Sequence, residues 1–158
     1  MNTILSGQHL RESLVELQKA KAHLAFSFER VSKLPGNLEG VTESEFEIVE
    51  AFCSRFSRVV DILINKTLRA LDRVELFPPG TLLDVVNRAE KRGLIGGAIV
   101  LREMKEIRNI IAHDYAGVEL QQVFMYCREQ TPLLIEISNR TTDYGSRVVS
   151  ETAPNEKT

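Results

Sequence analysis

Arg108, Asn109, His113 and Tyr115 fall within eight residues, RNIIAHDY, at the end of an otherwise apolar, helix-like segment. Arginine offers a planar, permanently charged fork that fits a phosphate. Histidine is the side chain whose ordinary pKa lets it both take and give a proton near neutrality. The two together are the minimum equipment for cutting RNA without a metal. The histidine moves protons as a ribose 2′-OH attacks, and the arginine holds the charge that builds on the phosphate.

The segment that carries them reads as a helix from about 97 to 114. At about 100° per residue, Val100, Met104, Ile107 and Ile111 share one narrow stripe, the core face. Arg102, Glu106, Asn109 and His113 share the opposite stripe. Arg108 stands at the boundary, beside Leu101 and Ala112. A solvated bundle helix needs such a polar face in any case, with Arg102 and Glu106 spaced to pair. A histidine near a helix C-terminus also suits the helix dipole.

Asn109 and His113 are four apart and share a face; Arg108 and Tyr115 would share another if the helix continued. Arg108 and His113 are five apart, about 140° around an ideal helix. One straight helix therefore does not aim both at one phosphate. Either the helix ends near Ala112 and the histidine swings, as nearby Gly117 permits, or two chains contribute facing copies. Asp61, on the second helix, is a candidate neighbour for the arginine.

The elements around this helix are also legible. Residues 8–32 carry Leu10, Leu14, Leu17, Leu24, Phe28 and Val31 at helical spacing, with Lys21 in the one gap. Pro35 and Gly36 break that helix, and Thr42 with Glu45 has the form of a capping box. A second helix is expected over 43–72, with an apolar side from Phe46 to Leu68. Pro78, Pro79 and Gly80 end it. Thr81 with Asp84 opens a short helix, 81–92, and Gly93, Gly96 and Gly97 punctuate again. Gly117 then separates a last helical region, 118–140, which Pro132 should kink or divide. From about 144 the chain is polar without a sustained apolar period. These elements predict an all-α, up-and-down bundle of four to five helices over residues 1–143, followed by a loose tail, 144–158.

Length and composition narrow the function classes. The chain has 158 residues, one domain's worth of core. Its net charge of −2 argues against a protein that coats nucleic acid indiscriminately, so any RNA must be met by a local cleft. Cys53 and Cys127 lack metal-ligand spacing and read as buried free thiols of a reducing compartment. No signal peptide or membrane-spanning run is evident, so a cytoplasmic location is expected. His9 and His23 belong to the first helix, with no carboxylates placed to complete a metal site. Ser54 and Ser57 lack a paired base, and the glycines at 93, 96 and 97 lack the following Lys–Ser or Lys–Thr of a phosphate loop.

The spacing Arg, four residues, His, one residue, Tyr resembles the signature of HEPN-domain proteins, in particular the HepT-like ribonuclease toxins. It is carried here by Arg108, His113 and Tyr115 within LREMKEIRNIIAHDY, with Asn109 matching the polar residue that commonly follows the arginine. The all-helical organisation over residues 8–140, with the motif late in the bundle, fits as well. The resemblance implies a metal-independent endoribonuclease with no cofactor, acting as a homodimer whose cleft joins two copies of the motif. Arg108 and His113 would be catalytic and Asn109 supporting. It further implies a nucleotidyltransferase antitoxin of the MntA type, which transfers AMP to the tyrosine corresponding to Tyr115, as in type VII-like toxin–antitoxin pairs. The added phosphate would put negative charge at the cleft. HepT-like toxins are often shorter than this chain, and other helical relatives serve as non-catalytic, substrate-binding partners of small nucleotidyltransferases; that is the alternative reading.

Overall fold

Thr42 and Thr81 start helices as their spacing predicts. The Thr42 hydroxyl accepts from the Glu45 N–H at 3.1 Å, and the Glu45 carboxylate accepts from the Thr42 N–H at 3.0 Å. Thr81 and Asp84 form the same reciprocal pair. Each box satisfies donors that a helix start leaves unpaired.

A computed structural model describes residues 2–115 and 119–152. The helices are α1 (Asn2–Ser32), α2 (Glu43–Asp61), α3 (Arg69–Val74), α4 (Leu82–Lys91), α5 (Ala98–Ala112) and α6 (Leu120–Thr152). A π-helical stretch, Ile62–Leu68, joins α2 to α3 without a break. Among the described residues there is no strand, so the expected all-α bundle holds. The protein is built around α2, which packs on α1, α5 and α6, while α1 and α6 share the most extensive interface. Phe52 and Phe56 of α2, Leu17 and Leu24 of α1, Leu101 and Met104 of α5 and Phe124 of α6 are fully buried between them. The Phe52 and Phe124 rings meet edge to face, with centroids 6.1 Å apart.

Two expectations need correction. The stretch from 144 is not a loose tail as far as Thr152: α6 continues through it. Its buried face there is Thr141, Gly145 and Val149, four residues apart. Small residues replace bulky ones because α1 comes very close. A Cβ on Gly145 would stand 2.9 Å from a Leu14 methyl. Residues 153–158, the rest of the expected tail, lie outside the described residues, as does Gly117. Pro132 also does not divide the last helix; α6 runs through it with the proline ring on the exposed side.

The PPG segment is tied down by charge. Asp72 of α3 accepts from Arg88 at 3.0 Å and from Arg92 at 2.8 Å. Arg92 also pairs with Glu75 at 2.9 Å, and Glu75 accepts from the Tyr144 hydroxyl of α6 at 3.0 Å. Phe77 lies under both guanidiniums, its centroid 4.6 Å from Arg88 and 5.6 Å from Arg92. This network fastens the C-terminal end of α4 to α3 and α6.

Candidate active site

α5 presents the motif because its apolar residues face α2. Leu101 and Met104 are fully buried, and Val100, Ile107, Ile110 and Ile111 are partly so. Arg102, Glu106, Asn109 and His113 are exposed, the polar stripe expected from the helix angle. The core stripe is deeper on the Leu101 side than helix arithmetic placed it. No Arg102–Glu106 ion pair forms among the described residues.

Arg108 reaches across to α2. Its Nη2 lies 3.1 Å from Asp61 Oδ1, with both side chains about one third exposed. Its Nη1 donates to Asn109 Oδ1 at 3.3 Å. Asp61 also accepts from the Asn65 amide at 2.7 Å. Asn65 sits in the first turn of the π-helical stretch, a distortion often found at functional positions. Lys105, one turn before Arg108, adds a second cation beside Asp61. Burial first, and the Arg108 guanidinium second, hold the Lys105 ammonium below its ordinary pKa; Asp61 opposes them and Arg69 adds to them. The result is a cationic cluster anchored on one carboxylate. Lys105 was not singled out from sequence, although its position three residues before Arg108 places both on neighbouring turns of one face.

α5 ends at Ala112, one of the two alternatives the sequence left open, so Arg108 and Tyr115 are not aligned on one continued helix. His113 is the C-cap residue, exposed, with its backbone N–H bonded to the Asn109 carbonyl at 3.0 Å. Asp114 and Tyr115 then turn left-handed, with φ of 55° and 58°. The Asp114 N–H bonds to the Ile111 carbonyl at 3.2 Å and the Tyr115 N–H to the Ile110 carbonyl at 2.8 Å. That pair of bonds is a Schellman closure, which usually employs glycine where this chain has Asp114. The reversal swings the Tyr115 ring inward, half-buried, while His113 stays in solvent. Burial, with Cys53, Cys127, Glu50 and Asp114 nearby, pushes the Tyr115 hydroxyl well above its ordinary pKa. Cys53 and Cys127 are buried free thiols, as expected.

Of the two alternatives posed by the 140° separation, the helix end is observed, but it does not by itself bring Arg108 and His113 together. Arg108 leans onto Asp61, and no bond links it to His113 among the described residues. His9 and His23 are solvated on α1, and no group of His, Cys, Asp or Glu able to hold a metal occurs among the described residues. No described helix is long and apolar enough to cross a membrane.

The all-helical bundle is consistent with the class of HEPN-like helical domains. The family model for HepT-like ribonucleases matches residues 16–141, most of the chain, and the protein belongs to that family. No curated protein and no solved structure matches the chain at a significant level. The match runs from within α1 to within α6, so it takes in the whole of α5 and everything that packs on it.

Proposed function

We propose that the protein is a metal-independent endoribonuclease toxin, cytoplasmic, which cuts RNA in a cleft formed between two copies of the chain. The observation that carries this reading is the state of His113 in a chain of a ribonuclease family. It is exposed at the C-cap of α5, one turn past Asn109, with its ring free of bonds among the described residues. In the reaction, the 2′-oxygen bonds to the adjacent phosphorus as the bond to the 5′-oxygen breaks. One His113 takes the 2′-hydroxyl proton and a second, from the facing copy, gives a proton to the leaving 5′-oxygen. Arg108 holds the phosphate oxygens as their charge rises. Asn109 supports the arginine.

One feature of the surface favours pairing of two chains. Ile99 of α5 is a large exposed apolar side chain, and it lines a groove of 460 Å³ that runs from Leu82 to Asn109. A second copy on this side would cover it. A nucleotidyltransferase antitoxin would silence the site by AMP transfer to Tyr115. The Tyr115 oxygen would attack the α-phosphorus of ATP and pyrophosphate would leave. The added anion would stand at the turn that follows His113.

The decisive experiment is expression of the full chain with and without a cognate nucleotidyltransferase, with cellular RNA examined in each case. Growth arrest and RNA cleavage without the partner, both lost in His113→Ala, are the expected results. A chain that binds the nucleotidyltransferase tightly yet leaves RNA intact and growth unaffected is instead the non-catalytic partner subunit.

Asp61 has a place in this reading as a positioning residue for Arg108. Asp61→Asn keeps the shape but removes the charge that aims the guanidinium. It is expected to lower the cleavage rate roughly tenfold to a hundredfold, the scale of a small misplacement of a reacting group. The thermal midpoint should hardly move, since the pair is partly solvated and worth little to stability. Asp61→Glu should restore part of the rate. Unchanged cleavage by Asp61→Asn would remove Asp61 from the site.

A further inference from the structure

Between α1 and α2 lies a polar groove of 410 Å³. Glu16, Lys19 and His23 of α1 and Ser54, Arg55 and Arg58 of α2 line it. Its one carboxylate is already engaged, because Glu16 pairs with Lys66 at 2.7 Å. Among the described residues, Lys19, Arg55 and Arg58 pair with no carboxylate. The groove is therefore a cationic strip on a chain whose net charge is −2.

The strip has an aromatic at one end and the motif at the other. Phe26 is 59% exposed, large and apolar, with two guanidiniums near its ring. Those of Arg30 and Arg55 stand 5.9 and 6.0 Å from its ring centroid. Arg55 is held in place by bonds to the Ser27 hydroxyl at 2.8 Å and the His23 carbonyl at 3.2 Å, so it belongs to both the groove and the Phe26 platform. At the opposite end, Arg58 precedes by one turn the Asp61 that holds Arg108. Cations that follow a backbone, beside an exposed ring on which a base can stack, are the combination that holds single-stranded nucleic acid.

We propose that this α1–α2 groove is an RNA-binding subsite, which carries the phosphate backbone of a single-stranded segment from Phe26 across Lys19 and Arg58 to Arg108. The inference rests on the ribonuclease reading and adds a contact surface on a helix pair outside the motif. It makes substrate capture a property of α1 and α2, and cutting a property of α5.

The test uses the full chain carrying His113→Ala, which binds without cutting, and a fluorescein-labelled single-stranded RNA oligonucleotide followed by fluorescence anisotropy. Lys19 and Arg58 are exposed and make no side-chain bonds among the described residues, so Lys19→Gln with Arg58→Gln leaves the fold intact. The double variant is expected to bind about tenfold more weakly or worse, with the slope of log affinity against log salt reduced by roughly 1.4 for two lost phosphate contacts. Phe26→Ala should weaken the single strand by about fivefold or more, with little change in that slope and no effect on a duplex of the same length. Unchanged affinity and slope in the Lys19, Arg58 double variant, while the His113 protein still cuts RNA, would overturn the groove and leave the ribonuclease reading standing. A protein with His113 that neither binds nor cuts RNA would overturn both. Equal loss on single strand and duplex in Phe26→Ala would overturn the stacking platform and with it the preference for unpaired RNA.

Discussion

His113→Ala will lower kcat/KM for RNA cleavage by about 10²–10⁴-fold, the contribution of a positioned acid or base, and will leave the unfolding midpoint where it was. Both halves follow from one placement. His113 is exposed, its side chain makes no bonds among the described residues, and only its backbone closes the helix. Alanine keeps that backbone closure, so the loss is confined to proton transfer. Arg108→Ala should cost a similar factor, and Arg108→Lys should recover little of it, because a point charge does not reproduce the fork that Asp61 and Asn109 hold. Cleavage of a labelled RNA beside a thermal melt reads both quantities. A His113→Ala protein that cuts at the parental rate would show that this side chain takes no part.

The largest effect on stability is expected at Asp72, far from any chemistry. Its carboxylate is shared by Arg88 and Arg92, and the Arg92 side chain is only 6% exposed. Asp72→Ala leaves a buried guanidinium short of its principal counter-charge, a change that typically costs about 3–5 kcal/mol. For a chain of this size that corresponds to a fall in midpoint of roughly 10 °C. Arg92 keeps Glu75 at 2.9 Å, but its Nη2 then joins Nη1 as a buried donor without a partner. An Asp72→Ala midpoint within a degree or two of the parent would mean that solvent reaches Arg92 after all. The converse change, all three charges replaced by apolar residues of like size, should be far milder, because the cost lies in breaking the set rather than in lacking it.

The motif and the bundle were legible in the sequence for different reasons. The spacing of Arg108 to His113 and the angle between them depend only on helix geometry, and the exposed and buried faces of α5 followed. Asp61 was only a candidate neighbour on the second helix, because its place beside Arg108 comes from the packing of α5 on α2. Lys105 was passed over, since its role comes from Arg69 and Asp61, which the fold brings near it. The last turns of α6 were misread for a related reason. A helix that packs through Thr141 and Gly145 shows no bulky stripe, and the leucine that fills the space, Leu14, lies on another helix. The sequence left open whether the helix reached Tyr115, because the left-handed turn at Asp114 has no glycine to announce it.

That contact between Leu14 and Gly145 also has a consequence in time. The most extensive seam of the bundle joins α1 to α6, helices far apart in the sequence. For a helical protein this is a distinctly non-local closure, which slows folding relative to bundles of neighbouring hairpins. While the ribosome is still making α6, α2 has no finished support on one side, and α5 rests on α2. On the ribonuclease reading proposed above, a chain whose α6 is not yet packed on α1 and α2 lacks the settled platform from which Arg108 and His113 would act, and cutting is expected only after that closure.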